Sequence, residues 1–261
     1  MSLPERWSDL GTRVTSALVL LIGGGLGVAA GGAVFLLLVA LAVAGMMWEL
    51  ARMTGRQTGT WLDLGIAVLA ALCLFLWSVF LWPPLAWGIL VLPALVLLVT
   101  PRRDAVIIAL YALGLMVAAA GFVLLRNSGV AWFLWLLAVV ITSDVLGYFA
   151  GRLIGGPKFW PKISPKKTWS GTIAGWIGAV LVGLAFWHFT DAPPVLLVLS
   201  PLIAVAGQFG DIAESWLKRR AGVKDASNLI PGHGGLMDRF DALLGAMLAV
   251  QLVLLLAGGL V

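Results

Sequence analysis

The stretch Gly207–Asp241, GQFGDIAESWLKRRAGVKDASNLIPGHGGLMDRFD, decides how the rest of the chain is read. It starts in an apolar setting with helical spacing. Asp211, Glu214, Ser215 and Lys218 lie at i, i+3, i+4 and i+7, and so share one helix face. Two acids, a hydroxyl and an amine in one stripe make a poor surface for lipid, where every charge is costly. The stripe requires a polar cavity. Downstream come Lys224-Asp225, the turn Pro231-Gly232-His233-Gly234-Gly235, and Asp238 and Asp241 at i, i+3. Acids, bases and glycines at this density suit a site for a metal ion and a phosphate.

Around this stretch the chain is overwhelmingly apolar. Of 261 residues, 61% are hydrophobic and 11% charged, and the mean hydropathy is +1.05. A soluble domain is about 45–50% apolar and about 25% charged. The composition excludes that class and predicts an all-α, polytopic integral membrane protein. No polar interval is long enough for a large soluble domain. The lone Cys73 sits in an apolar run, so no disulfide framework exists. A net charge of +5 does not point to nucleic acid, because the basic residues lie between apolar segments.

Those segments fall near residues 13–30, 32–50, 61–82, 85–100, 105–125, 130–150, 171–190, 195–217 and 239–260. Each approaches the ~20 residues a crossing needs, the fourth being short, which predicts about nine transmembrane helices. Residues 1–13 are expected to lie along the interface as a short helix, without the design of a cleavable signal. With the N-terminus in the cytoplasm, every basic residue of the 17 except Arg126 falls on the cytoplasmic side. This predicts a multi-pass protein of the inner (plasma) membrane with its site facing the cytoplasm. Two regions are expected. Residues 1–130 form transmembrane scaffold, open to an oligomer contact such as a homodimer. Residues 131–261 form the catalytic region, with cytoplasmic loops 151–170 and 218–238.

The first region carries little chemistry. Gly23, Gly24, Gly25, Gly27, Gly31 and Gly32 are read as close helix contacts. Glu49 and Asp63 are placed near span ends, within reach of the interface by snorkelling. The tryptophans at 48, 61, 77, 82 and 87 read as an aromatic belt. In the second region, Asp144, Gly147, Tyr148 and Gly151 share a helix face, an acid flanked by small residues that admit a ligand or another backbone. The basic loop 163–168 follows, with Ser164, Lys166, Lys167 and Thr168 before a helix start. Free N–H groups, the helix dipole and two lysines there suit a phosphate cradle, the alternative being positive-inside charge that attracts anionic lipid. Lys158 and Lys162 read as ordinary positive-inside charge, and His188 as packing near the outer end of a span.

The residues from Ser215 to Asp241 resemble the hallmark of the phosphatidate cytidylyltransferases, the CDP-diacylglycerol synthases. The positions that match are Ser215, Lys218, Arg219, Lys224, Asp225, Pro231, His233, Gly234, Gly235, Asp238, Arg239 and Asp241. The stretches 144–151 and 163–168 resemble the family too, in the expected order. The first 130 residues match only as hydrophobic spans. Gly147 stands where the family often has Ala, and Ser170 where Glu is expected.

The resemblance implies an enzyme that joins CTP to phosphatidic acid in the lipid bilayer, giving CDP-diacylglycerol and pyrophosphate, with Mg²⁺ and a paired second cation. Two anions must meet, and metal plus lysines reduce their repulsion. Asp211 and Asp238 are expected as metal ligands, with Asp241 and Asp144 as further ligands or acceptors. Ser215 and Lys218 are expected to hold a substrate phosphate. Lys224, Arg219 and Arg239 would neutralise pyrophosphate or the lipid head group, Arg219 alternatively snorkelling. His233 either contacts phosphate or caps its turn, and Glu214 either orients Lys218 or is structural. Two other readings stand beside this one: a different CTP-using lipid enzyme, such as a polyprenol kinase or an archaeal-type synthase, and a transporter.

Overall fold

A computed structural model describes residues 3–55, 61–80, 84–161 and 163–258. Lys162, Arg56 and Trp82 lie outside these residues. The chain divides into two compact units. One comprises Met1–Asn127 with Ala221–Phe240, the other Ser128–Arg220 with Asp241–Val261. The fold is helical, as the composition predicts, with a single two-stranded ribbon among the described residues.

In the first unit the helices are α1 (Leu3–Ala30), α2 (Gly32–Thr54), α3 (Trp61–Val79), α4 (Pro84–Ile89), α5 (Leu92–Val99) and α6 (Ala105–Ser128). Residues 3–13 do not form a separate interfacial helix; they are continuous with α1. The core stripe of α2 runs through Phe35, Val39, Val43, Met47 and Leu50, all buried at helical spacing. Its other face exposes Leu37 and Leu41, which suits lipid contact. On α3, Trp77 is 1% exposed and meets Trp87 edge to face at 5.4 Å between ring centroids. Trp77 therefore belongs to the core and not to an interfacial belt, whereas Trp61 is 88% exposed.

Helix ends in this unit are closed by arginines. Arg102 donates to Thr54 Oγ1 at 2.9 Å and to the Ala51 carbonyl at 3.3 Å, at the C-terminus of α2. Burial lowers the Arg102 pKa from its usual value, and the Asp63 charge opposes that shift. Asp63 is 2% exposed, so it is buried rather than snorkelling. Arg126, the exception to the charge pattern, donates to the Val28 carbonyl at 2.6 Å and the Ala29 carbonyl at 3.3 Å. Its charge sits on the negative end of α1, a structural reason for a cation on the expected outer side. Gly31, at φ +62°, turns the chain there, and a side chain at that position would meet the Arg126 guanidinium.

The second unit holds α7 (Val130–Leu153), β1 (Lys158–Trp160), β2 (Ser164–Thr168), α8 (Trp169–Phe189), α9 (Leu196–Arg220) and most of α10 (Met237–Leu256). The expected basic loop is in part a ribbon, with Lys158 opposite Thr168 and Trp160 opposite Ser164. Glycines bring α7, α8 and α9 together: Gly175 faces Ser143, and Gly183 faces Leu196 and Ser200. Gly210 packs on the Asp241 carbonyl and Gly245 of α10. Among the described residues nothing packs against Gly23, Gly24, Gly25 or Gly32, where close contact was expected, whereas Gly27 meets Leu38 and Gly31 meets Arg126. Trp135 donates to Ser200 Oγ at 2.9 Å, which satisfies a buried indole N–H.

Among the described residues, seven helices are long and apolar enough to cross a membrane. They are α2, α3, α6, α7, α8, α9 and α10; Val14–Ala30 and Ala86–Val99 are shorter. The second of these breaks into α4 and α5. The expected nine apolar segments are all present as helix, but helix length does not support nine crossings.

A methyl group at the α7–α8 contact tests the packing. A Cβ on Gly171 would collide with the Gly147 carbonyl oxygen. Gly171→Ala is expected to destabilise the protein by about 1–3 kcal/mol, because neither backbone can yield cheaply. A detergent melting curve unchanged from wild type would contradict this.

Candidate functional site

Helix α7 delivers Asp144, Gly147 and Gly151 to one wall of a cavity of about 330 Å³ in the second unit, and the ribbon delivers Lys166 and Lys167 to another. The volume suits a small ligand or a substrate head group. The expected shared face of Asp144, Gly147, Tyr148 and Gly151 is the face that lines this cavity. The glycines matter sterically: a Cβ on Gly151 would lie 2.9 Å from Thr168 Oγ1. Ser143, Arg152, Thr172 and Gln208 line it too. None of these four is among the site residues expected from the sequence; on a helical wheel of α7, Ser143 and Arg152 flank Asp144.

Thr168 is the N-cap of α8, and its hydroxyl accepts from Gly171 N at 3.3 Å. It is buried, so its first role is capping. Ser170, found where an acid was expected, donates to the Gly155 carbonyl at 2.5 Å and meets Thr168 Oγ1 at 3.0 Å. It ties the entry of the ribbon to the start of α8. Ser164 and Lys166 lie on β2.

Lys167 reaches α9 and pairs with Asp211 at 2.5 Å, both side chains about a quarter exposed. Ser215 donates to the other Asp211 oxygen at 3.3 Å, one turn on. Glu214 is fully buried and pairs with Lys218 at 2.5 Å, the i, i+4 arrangement read from the spacing. Arg219 is exposed at the end of α9. Asp144, Asp211 and Asp241 are near enough to act on one another electrostatically. Like charges gathered in an apolar helical body call for cations, and Lys167 and Lys218 supply part of that need.

Among the described residues no three His, Cys, Asp or Glu form a group that could hold a metal alone. Mg²⁺ does not need one, because it takes one or two carboxylates and completes its shell with water and substrate phosphate. The donor chemistry of Asp144, Asp211 and Asp241 fits such an ion: hard, anionic oxygens beside a cavity with cationic walls.

The remaining expected residues lie in the first unit. Lys224 and Arg239 are exposed. The loop 221–236 folds back through an Ile230–Gly234 bridge, with the Ile230 N–H donating to the Gly234 carbonyl at 2.8 Å. Gly234, at φ +85°, packs under Asp238, where a Cβ would lie 2.9 Å from Oδ2. His233 closes the turn through its backbone N–H to the Ile230 carbonyl, and its Nδ1 is buried without a hydrogen-bond partner. Asp238 Oδ2 accepts from Gly235 N at 2.7 Å and Ala226 N at 3.0 Å. Supporting hydrogen bonds of this kind orient a carboxylate whether it ligates a metal or only closes a loop.

Glu49 departs furthest from expectation. It does not snorkel; it is fully buried, and its carboxylate accepts from Ser227 Oγ, Leu236 N and Met237 N. The signal was an isolated acid inside an apolar span, where an ionisable group needs a defined partner.

The model of the cytidylyltransferase family matches residues 11–257. A phosphatidate cytidylyltransferase of Brucella abortus biovar 1 (strain 9-941) is 47% identical over 120 residues, covering 45% of this chain and 44% of the relative. The phosphatidate cytidylyltransferase of Staphylococcus saprophyticus is 38% identical over 133 residues, covering 50% and 51%. That of Staphylococcus aureus (strain COL) is 36% identical over the same length. The chain spans about half the length of the curated relatives it matches. With a family match that runs from α1 to the last turn of α10, over the carboxylates, the lysines and the glycine loop alike, this chain belongs to the cytidylyltransferase family.

Proposed function

We propose that the chain transfers the cytidylyl group of CTP to phosphatidic acid at the cytoplasmic face of the membrane. The observation that carries this reading is the cavity walled by Asp144, Arg152, Lys166 and Lys167, with Asp211 paired to Lys167. The similarity to phosphatidate cytidylyltransferases supplies the substrate pair. In the reaction a phosphate oxygen of the lipid attacks the α-phosphorus of CTP. The bond from that phosphorus to the bridging oxygen breaks, and pyrophosphate leaves with the electron pair. A phosphate monoester is already largely ionised near neutral pH, so no strong base is required.

The work of the protein is to bring two anions together and hold them in line. Lys166, Lys167 and Arg152 would offset the phosphate charge at the cavity. Lys167 is held by Asp211 until a phosphate oxygen competes for it. Lys218, fixed by Glu214, would present its ammonium beside Ser215. Asp211 is proposed as the first Mg²⁺ ligand, with Asp241 and Asp144 beside it; Asp238 keeps its expected ligand role and is tested separately. When bound, the divalent ion would polarise phosphoryl oxygens and neutralise charge on the leaving pyrophosphate. Lys224, Arg219 and Arg239 are proposed to attract the anionic substrates to the membrane surface.

Purified protein in nanodiscs, given CTP, Mg²⁺ and phosphatidic acid, is expected to release pyrophosphate and form CDP-diacylglycerol. Chelation of the metal with EDTA is expected to abolish product formation, and Mg²⁺ to restore it. No product with phosphatidic acid but turnover with polyprenol would overturn the substrate assignment. Uptake of a solute without pyrophosphate release would overturn the reaction.

A further inference from the structure

We propose that Glu49, on α2 of the N-terminal region, is the positioning residue for the loop that bears Lys224 and His233. This rests on the cytidylyl-transfer reading for its catalytic consequence, but not for its geometry. The Glu49 carboxylate is fully buried. One oxygen accepts from Ser227 Oγ at 2.6 Å and Leu236 N at 2.8 Å, and the other accepts from Met237 N at 2.7 Å. A single side chain thus ties Ser227, midway along the loop, to the loop's end and caps the first turn of α10.

Neighbouring contacts show that the seat is built for this carboxylate. Gly235 lies against it so closely that a Cβ would fall 2.5 Å from Oε1. Four residues back on the same face of α2, Gly45 leaves room for Leu236, with which any side chain there would collide. Ser16 on α1 donates to the Pro231 carbonyl at 3.0 Å, a further tether on the same loop. Asp238 performs the complementary task from the far end, joining Ala226 to Gly235. Two carboxylates from opposite ends of the chain therefore clasp residues 226–237. Within the loop the backbone bonds Ile230 N to Gly234 O and His233 N to Ile230 O fix its turn, and the clasp fixes that turn against α2 and α10.

Hydrogen exchange and kinetics on the protein in nanodiscs test this. Glu49→Gln keeps the shape but turns an N–H donor towards one of the three donors it must accept from. Exchange at the Leu236 and Met237 amides is expected to rise about 10- to 100-fold, the factor that one hydrogen bond to a charged group supplies. The catalytic constant for cytidylyl transfer is expected to fall about tenfold or more, because a small misplacement of a charged group is costly in the transition state. Glu49→Asp, shorter by one methylene, should restore part of both. Arg126→Ala, which removes a cap elsewhere in the same unit, should lower the melting temperature without either change. Unchanged exchange at residues 236 and 237 in Glu49→Gln overturns the clasp. Faster exchange with an unaltered catalytic constant overturns the positioning role. If the wild type forms no CDP-diacylglycerol, the proposed reaction fails while the exchange result still decides the clasp.

Discussion

Asp211→Asn is expected to lower CDP-diacylglycerol formation by at least about 10³-fold, with the protein still folded in detergent. The substitution keeps the volume and one hydrogen-bond acceptor, so Ser215 retains a partner. It removes the negative charge that the proposed divalent ion would need and that Lys167 pairs with at 2.5 Å. Both losses fall on charge that must be balanced when two phosphates meet. Asp191→Asn, at an exposed turn after α8, serves as the control and should leave turnover unchanged. Asp238→Asn is the companion experiment. An amide oxygen can still accept from Ala226 and Gly235, so the loop should survive while the charge is lost. Near-normal activity in Asp211→Asn would remove Asp211 from the proposed metal site, and near-normal activity in Asp238→Asn would end the ligand role proposed for Asp238.

Removing the carboxylate of Glu214 should cost the fold more than any surface change. Glu214 is fully buried, and Lys218 is 8% exposed. Their pairing at 2.5 Å balances two charges in an apolar helical setting. Glu214→Ala removes the buried carboxylate that Lys218 pairs with, and losing one partner of a buried pair costs about 3–5 kcal/mol. The apparent melting temperature in detergent is expected to fall by roughly 10 °C. The double variant Glu214→Leu, Lys218→Met should recover most of that loss, because a buried pair replaced by apolar groups of similar volume is often neutral. Activity should not return with it, since Lys218 is proposed to hold a substrate phosphate. A single variant as stable as wild type would show that the pair is solvated.

The helical class, the spans of α7 to α10 and the one-turn pairing of Glu214 with Lys218 were all readable from spacing. Each depends on local periodicity, which a sequence displays directly. The cavity-facing stripe of Asp144, Gly147, Tyr148 and Gly151 was readable for the same reason. The basic segment 163–168 was harder. Its ribbon depends on pairing with residues 158–160, and a proline and two lysines give no strand signal. Tryptophans misled where a residue near the end of an apolar run turned inward, as Trp77 does onto Trp87.

Composition and periodicity were sufficient to establish a helical membrane protein and to collect most of its acids and bases into the C-terminal half. Those properties are additive along the chain, so no knowledge of distant neighbours is needed. Partners separated by long stretches of sequence became visible only in three dimensions: Arg126 on the end of α1, Lys167 on Asp211, and Glu49 on the loop before α10. A charge inside an apolar body must find a specific counterpart, and the position of that counterpart is set by helix packing. The glycines that allow such packing lie at residues 147, 171 and 210, where backbones touch, and not in the richer run at 23–25.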